Sequence, residues 1–132
     1  NGVVESVQVR GFGKTHVGFD YEIRNPHPQN RLVISNCQVT DGAPSIHLRP
    51  GSRRAQIHGC HLTGLNGHPA ILIDKGADLF TITGNILNGK IEDNSATKKK
   101  TVSGNIQEDE SDKRRSQDLK ATQPNQPPKD AP

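Results

Sequence analysis

Residues 32–42 (LVISNCQVTDG), 55–64 (AQIHGCHLTG), 80–89 (FTITGNILNG) and 101–107 (TVSGNIQ) are one pattern written four times. The segments align without gaps across their centres on Ile34, Ile57, Ile82 and Val102, which are separated by 23, 25 and 20 residues. Three positions after each of these comes Cys37, Cys60, Asn85 or Asn105, and two further on comes Val39, Leu62, Leu87 or Gln107. Three of the four segments close on a glycine: Gly42, Gly64 or Gly89.

Between them runs a second repeated strand, Ser45-Ile46-His47-Leu48 and Ala70-Ile71-Leu72-Ile73, with Ile46 and Ile71 again 25 apart. Apolar residues alternate with period two, and Gly, Pro, Asn and Asp break the chain before any helix could form. A period in the low twenties built from short strands predicts an all-β fold, a parallel β-solenoid. The L-x-x-L-x-L signature of a leucine-rich repeat is missing. An earlier, degenerate coil is placed by Val7 and Val9, with Phe12 three after Val9 and with Val17 and Phe19 on its next strand. Residues 22–31, with Asn25-Pro26-His27-Pro28, read as a longer loop before the second coil. The count is about four to five coils within residues 1–107.

Stacking explains the composition. Residues one period apart lie about 4.8 Å apart and point the same way, so Ile34, Ile57, Ile82 and Val102 should form one internal ladder, and the pairs Ile46/Ile71 and Leu48/Ile73 two more. Such ladders build a core without bulk, in a chain with three Phe, one Tyr, no Trp and no Met. The final 25 residues, 108–132, hold Leu119 and two alanines as their only apolar residues, and are expected to be a disordered charged and Pro/Gln-rich tail. The tail carries −1 and the body +4, which together make the net +3 of the 132 residues. No apolar run approaches the roughly 20 residues that cross a bilayer, and no membrane partner is expected. A +4 body without aromatic interleaving likewise argues against nucleic acid.

The I-x-G-N/C-x-I/L…G…I-x-I pattern resembles the right-handed parallel β-helix, or pectate-lyase-like, superfamily, and ITGNILNG looks typical of its bacterial and phage members. The resemblance implies a right-handed β-helix. It also implies an extracellular, periplasmic or virion-associated setting and one of several roles: polysaccharide lyase, galacturonase, uronate epimerase, tailspike or adhesin. Fold does not choose among them. A chain opening on Asn1 reads as the C-terminal coils of a longer protein, and its first coil calls for further N-terminal coils or a homo-oligomeric partner to cover it.

Two chemical features stand out. Asp20 follows Phe19, Arg49 follows Leu48 and Asp74 follows Ile73, which predicts an outward Asp, Arg, Asp column that Asp93 could extend. Such a column would suit an acidic polysaccharide: Arg49, with His47, Arg53 and Arg54, as substrate-binding groups, and Asp20 and Asp74 as catalytic acid and base. The acids could also hold Ca²⁺; no other cofactor and no metal site is expected. The competing reading is an exposed salt-bridge ladder on a noncatalytic stalk or adhesin segment. The galacturonase-like motifs NTD, DD and GHG are absent, Gly67-His68-Pro69 being the nearest. The second feature is Cys37 stacked on Cys60. Buried reduced thiols, a disulfide, or a metal set with His58 and His61 all fit, although alternation sends His58 outward while Cys60 points in.

Overall fold

The computed structural model describes residues 2–5, 7–10, 17–22 and 31–108. The strands run in four triplets and a final pair. The first coil is β1 (Gly2–Glu5), β2 (Gln8–Arg10) and β3 (Phe19–Tyr21). The second is β4 (Leu32–Ser35), β5 (Gln38–Gly42) and β6 (Ile46–Leu48), and the third β7 (Ala55–His58), β8 (His61–Gly64) and β9 (Ile71–Ile73). The fourth is β10 (Phe80–Thr83), β11 (Ile86–Asn88) and β12 (Ile91–Asp93), followed by β13 (Lys100–Ser103) and β14 (Ile106–Gln107).

Equivalent strands of successive coils pair in parallel, giving three sheets ordered β1-β4-β7-β10-β13, β2-β5-β8-β11-β14 and β3-β6-β9-β12. The architecture is an all-β parallel solenoid of about four turns, and the described residues contain no helix. The tail from 109 onward, Phe12 and the loop residues 23–30 lie outside the described residues.

The expected ladders form the core, except that Val102, in register on Ile82, is exposed. Ile34, Ile57 and Ile82 are in register and fully buried, as are Val39, Leu62 and Leu87, then Ile46 and Ile71, then Leu48 and Ile73. Phe80 fills the wider space beside Ala55, in a cluster with Ala70 and Ala77. The small, mostly aliphatic side chains pack because each lies directly above its counterpart.

The corner between the first and second sheets explains the G-N/C dipeptide. Asn36, Gly59, Gly84 and Gly104 occupy equivalent positions with φ of 52°, 66°, 68° and 68°. That left-handed bend favours glycine and tolerates asparagine. The following residue, Cys37, Cys60, Asn85 or Asn105, then turns inward. Asn85 is 1% exposed. Its Nδ2 donates to the Ile57 carbonyl at 3.1 Å and to Asn105 Oδ1 at 2.9 Å, while its Oδ1 accepts the Cys60 amide at 2.9 Å. Asn105 repeats the pattern one coil on, donating to the Ile82 carbonyl at 2.9 Å. The amides thus satisfy corner backbone groups that the sheets leave unpaired.

Three registers differ from the sequence reading. In the first coil Val4, not Val9, pairs with Ile34, and Val9 pairs with Val39 on the second sheet. Phe19 pairs with Ile46 rather than Leu48, so the third strand of that coil sits two residues away from its expected alignment. Asp93 pairs with Ile73 and so takes a place in an interior ladder instead of extending an outer column.

Candidate functional site

The third sheet carries the residues singled out for chemistry. Its inward positions are Phe19, Ile46, Ile71 and Ile91, and Tyr21, Leu48, Ile73 and Asp93. Between them, Asp20, His47, Leu72 and Glu92 share one outer column. Asp20 therefore lies beside His47, while Arg49 and Asp74 come just past the strand ends, at the start of the turns that lead back to the first sheet. The anticipated straight Asp20, Arg49, Asp74 column is corrected to two neighbouring columns that interlock diagonally.

The interlock consists of two pairs. Arg49 Nε donates to Asp20 Oδ1 at 2.8 Å and Arg49 Nη2 to Asp20 Oδ2 at 3.0 Å, a two-pronged bond between coils one and two. His47 Nε2 lies 2.9 Å from Asp74 Oδ2, joining coils two and three. His47 is only 7% exposed although it points outward from the sheet. The Arg49 hydrogen bonds hold the Asp20 carboxyl below the usual carboxylate range, outweighing desolvation, with the charges of Arg49 and His47 acting the same way. Arg49 is correspondingly stabilised as a cation, chiefly by its bonds to Asp20.

Chemically, an ionised, doubly bonded Asp20 is a poor proton donor, and Asp74 spends one oxygen orienting the His47 ring. Among the described residues no three His, Cys, Asp or Glu side chains converge to hold a metal ion.

Arg53 and Arg54 lie farther along the turn that Arg49 begins. This turn is tied down: Ser52 Oγ donates to the Arg49 carbonyl at 2.6 Å and the Tyr21 carbonyl at 3.0 Å, and the Tyr21 hydroxyl donates to the Arg53 carbonyl at 3.1 Å. One coil on, Asp78 pairs with Arg53 in a backbone bridge and accepts the Thr97 hydroxyl. Because Ala55, Phe80 and Lys100 are in register, Arg54, Leu79 and Lys99 form the column just before the first sheet, with Arg53, Asp78 and Lys98 beside it. The three stacked turns, 49–54, 74–79 and 94–99, contain Arg49, Arg53, Arg54, Lys75, Lys98 and Lys99 against Asp74 and Asp78, a net +4. Asp20, which Arg49 holds by two hydrogen bonds, adjoins these turns, so the corner as folded carries +3 of the body's +4. Lys98 and Lys99 fall over this corner because the last coil has a period of 20 residues, a spacing that the sequence carries.

Cys37 and Cys60 are both buried and in thiol form. Cys60 Sγ lies 3.5 Å from the His58 carbonyl, and Cys37 Sγ 3.3 Å from the Ser35 carbonyl. His58 is exposed, on the opposite side of the strand from the Cys60 thiol. Comparison with family models, with curated proteins and with solved structures returns no match to the chain.

Proposed function

We propose that this chain forms part of a β-helix of the pectate-lyase-like kind that binds an acidic polysaccharide along its basic corner without cleaving it. The observation that supports this reading is the gathering of most of the body's positive excess at the three stacked turns, +3 once Asp20 is counted against Arg49. Coils rise by about 4.8 Å, so Arg53 and Arg54 stand about 10 Å along the axis from Lys98 and Lys99. A linear chain bearing carboxylates, laid parallel to the axis, meets cations at the first and third turns, with Leu79 and Asp78 between them. Guanidinium groups offer it paired donors and the lysines offer point charges. The paired states of Asp20 and Asp74 favour binding over hydrolysis. They give Asp20 and His47 a positioning role: Asp20 holds Arg49 at the edge of the corner, and His47 occupies one oxygen of Asp74. The setting that suits such a partner is extracellular, periplasmic or virion-associated.

Affinity electrophoresis through gels containing polygalacturonate tests the reading, with dextran as the neutral control and DNA as a competing polyanion. The combined variant Arg53→Ala, Arg54→Asn, Lys98→Ala, Lys99→Ala should lose retardation by at least about tenfold, roughly 1.4 kcal/mol. Asparagine is chosen for position 54 because its φ is 58°. Undiminished binding by this variant, equal retardation by dextran, or tighter binding to DNA would each overturn the proposal. Release of new chain ends from the polymer would overturn its noncatalytic part.

A further inference from the structure

The interior ladders do not simply stop at the last coil; three of them change chemistry there. Among the described residues, the ladder Leu48, Ile73 ends on Asp93, the ladder Ala55, Phe80 ends on Lys100, and the ladder Val39, Leu62, Leu87 ends on Gln107. Every earlier member of these ladders that is named here is buried and nonpolar. Asp93 and Lys100 come from different sheets, yet Lys100 Nζ bonds Asp93 Oδ2 across the end of the solenoid. Their side chains are 19% and 31% exposed, so the pair lies against the top of the core and still reaches water. Asp93 also accepts the amide and hydroxyl of Ser95 through its other oxygen.

We infer that this polar layer is a stop: Asp93, Lys100 and Gln107 close the C-terminal face of the solenoid against stacking by a coil of a second copy of this chain. The reason is the match that coil-on-coil growth requires. A further coil would form backbone bonds with β13 and β14, whose far edges pair with no other described strand, and Val102, 40% exposed, and Ile106, 64% exposed, would favour it. The same coil would strip water from an ion pair and an amide and place them under nonpolar side chains, where burial is strongly unfavourable. Polar substitution inside the end layer protects an edge in the way that inward-pointing charges protect sheet edges elsewhere. This inference is independent of the polysaccharide reading, which concerns the side of the solenoid rather than its end.

The test replaces the stop with the residues that would continue each ladder: Asp93→Ile, Lys100→Phe and Gln107→Leu together. Sedimentation velocity across a concentration series should show an association constant at least about tenfold above that of the wild type. The exchanged pair Asp93→Lys with Lys100→Asp keeps a charged end layer and should sediment as the wild type does. A folded triple variant with unchanged association would overturn the inference, as would self-association of the exchanged variant. Hydrogen exchange on the wild type supplies a reading that needs no variant. Outer-edge amides of β13 and β14 should exchange at rates independent of protein concentration, and protection that grows with concentration would show that the face stacks after all.

Discussion

Replacing Asn85 by alanine removes the central member of the corner ladder without touching a strand. Three hydrogen bonds disappear, and two buried backbone groups lose their side-chain partner: the Cys60 amide and the Ile57 carbonyl. Leaving a buried polar group unsatisfied costs about 1–3 kcal/mol, so the pair should cost about 2–6 kcal/mol before any relaxation. Against a total stability of about 5–15 kcal/mol for a domain, that is a large fraction. The chain has no Trp, so urea unfolding is best followed by far-ultraviolet circular dichroism, where a slope of about 2 kcal/mol per molar turns a mid-range loss of about 4 kcal/mol into a midpoint shift of about 2 M. Asn85→Cys is the informative companion, because the same position one and two coils earlier is Cys60 and Cys37. A thiol fills the space and makes weak contacts to corner carbonyls, so this variant should lose about half as much stability as the alanine one. If Asn85→Ala shifts the midpoint negligibly, or if cysteine proves as damaging as alanine, the corner ladder is not what ties these coils together.

Two further outcomes follow from the same coordinates. Thiol reagents should label Cys37 and Cys60 slowly in the native protein and immediately in urea, since both are buried; burial pushes the Cys60 thiol up, so stability tied to it holds below the ordinary thiol value of 9.0 and falls as the pH rises above it. Rapid native labelling would remove the inward ladder. At the other extreme of pH, burial raises the Asp93 carboxyl but the bonds from Lys100 and Ser95 outweigh it, leaving the group below its ordinary value of 3.8. The folded state then binds this proton less readily than the unfolded one, so the contribution is intact above that value and is lost as the pH falls through the lower folded one. Acid titration of unfolding should therefore be shallower for Asp93→Asn than for the wild type, and an unchanged profile would refute the end-layer pair.

The ladders were legible because stacking leaves a direct trace in spacing: a residue that fits above Ile57 must be an aliphatic residue one period away, and Ile34 and Ile82 are. The corner was legible as a dipeptide for the same reason. What could not be read was the first coil, which lacks that dipeptide. With Val4, Val7 and Val9 all available and no G-N/C to mark the bend, alternation alone fits more than one alignment, and on the third strand aligning Phe19 with Leu48 instead of Ile46 separates Asp20 from its true neighbour His47. A two-residue slip preserves which side of the sheet a residue faces. For that reason Asp20 was correctly placed outward while its partner row was wrong.

The consequence for the site is physical rather than clerical. In one straight column, Arg49 would sit between Asp20 and Asp74 and be shared by both. In the observed register two of its five N–H donors bond Asp20 and Asp74 acts on it through charge, while the hydrogen bond of Asp74 goes to His47, a residue whose burial no periodicity indicated. Two closed pairs replace one open triad. What remains outward and uncommitted to this interlock is the run of turn cations past it, Arg53 and Lys98 among them, and most of the net charge of the body resides there. The third sheet's Asp20 and the adjoining Asp74 thus arrange the corner, and under the proposed reading the corner's cations are the groups that meet the polysaccharide.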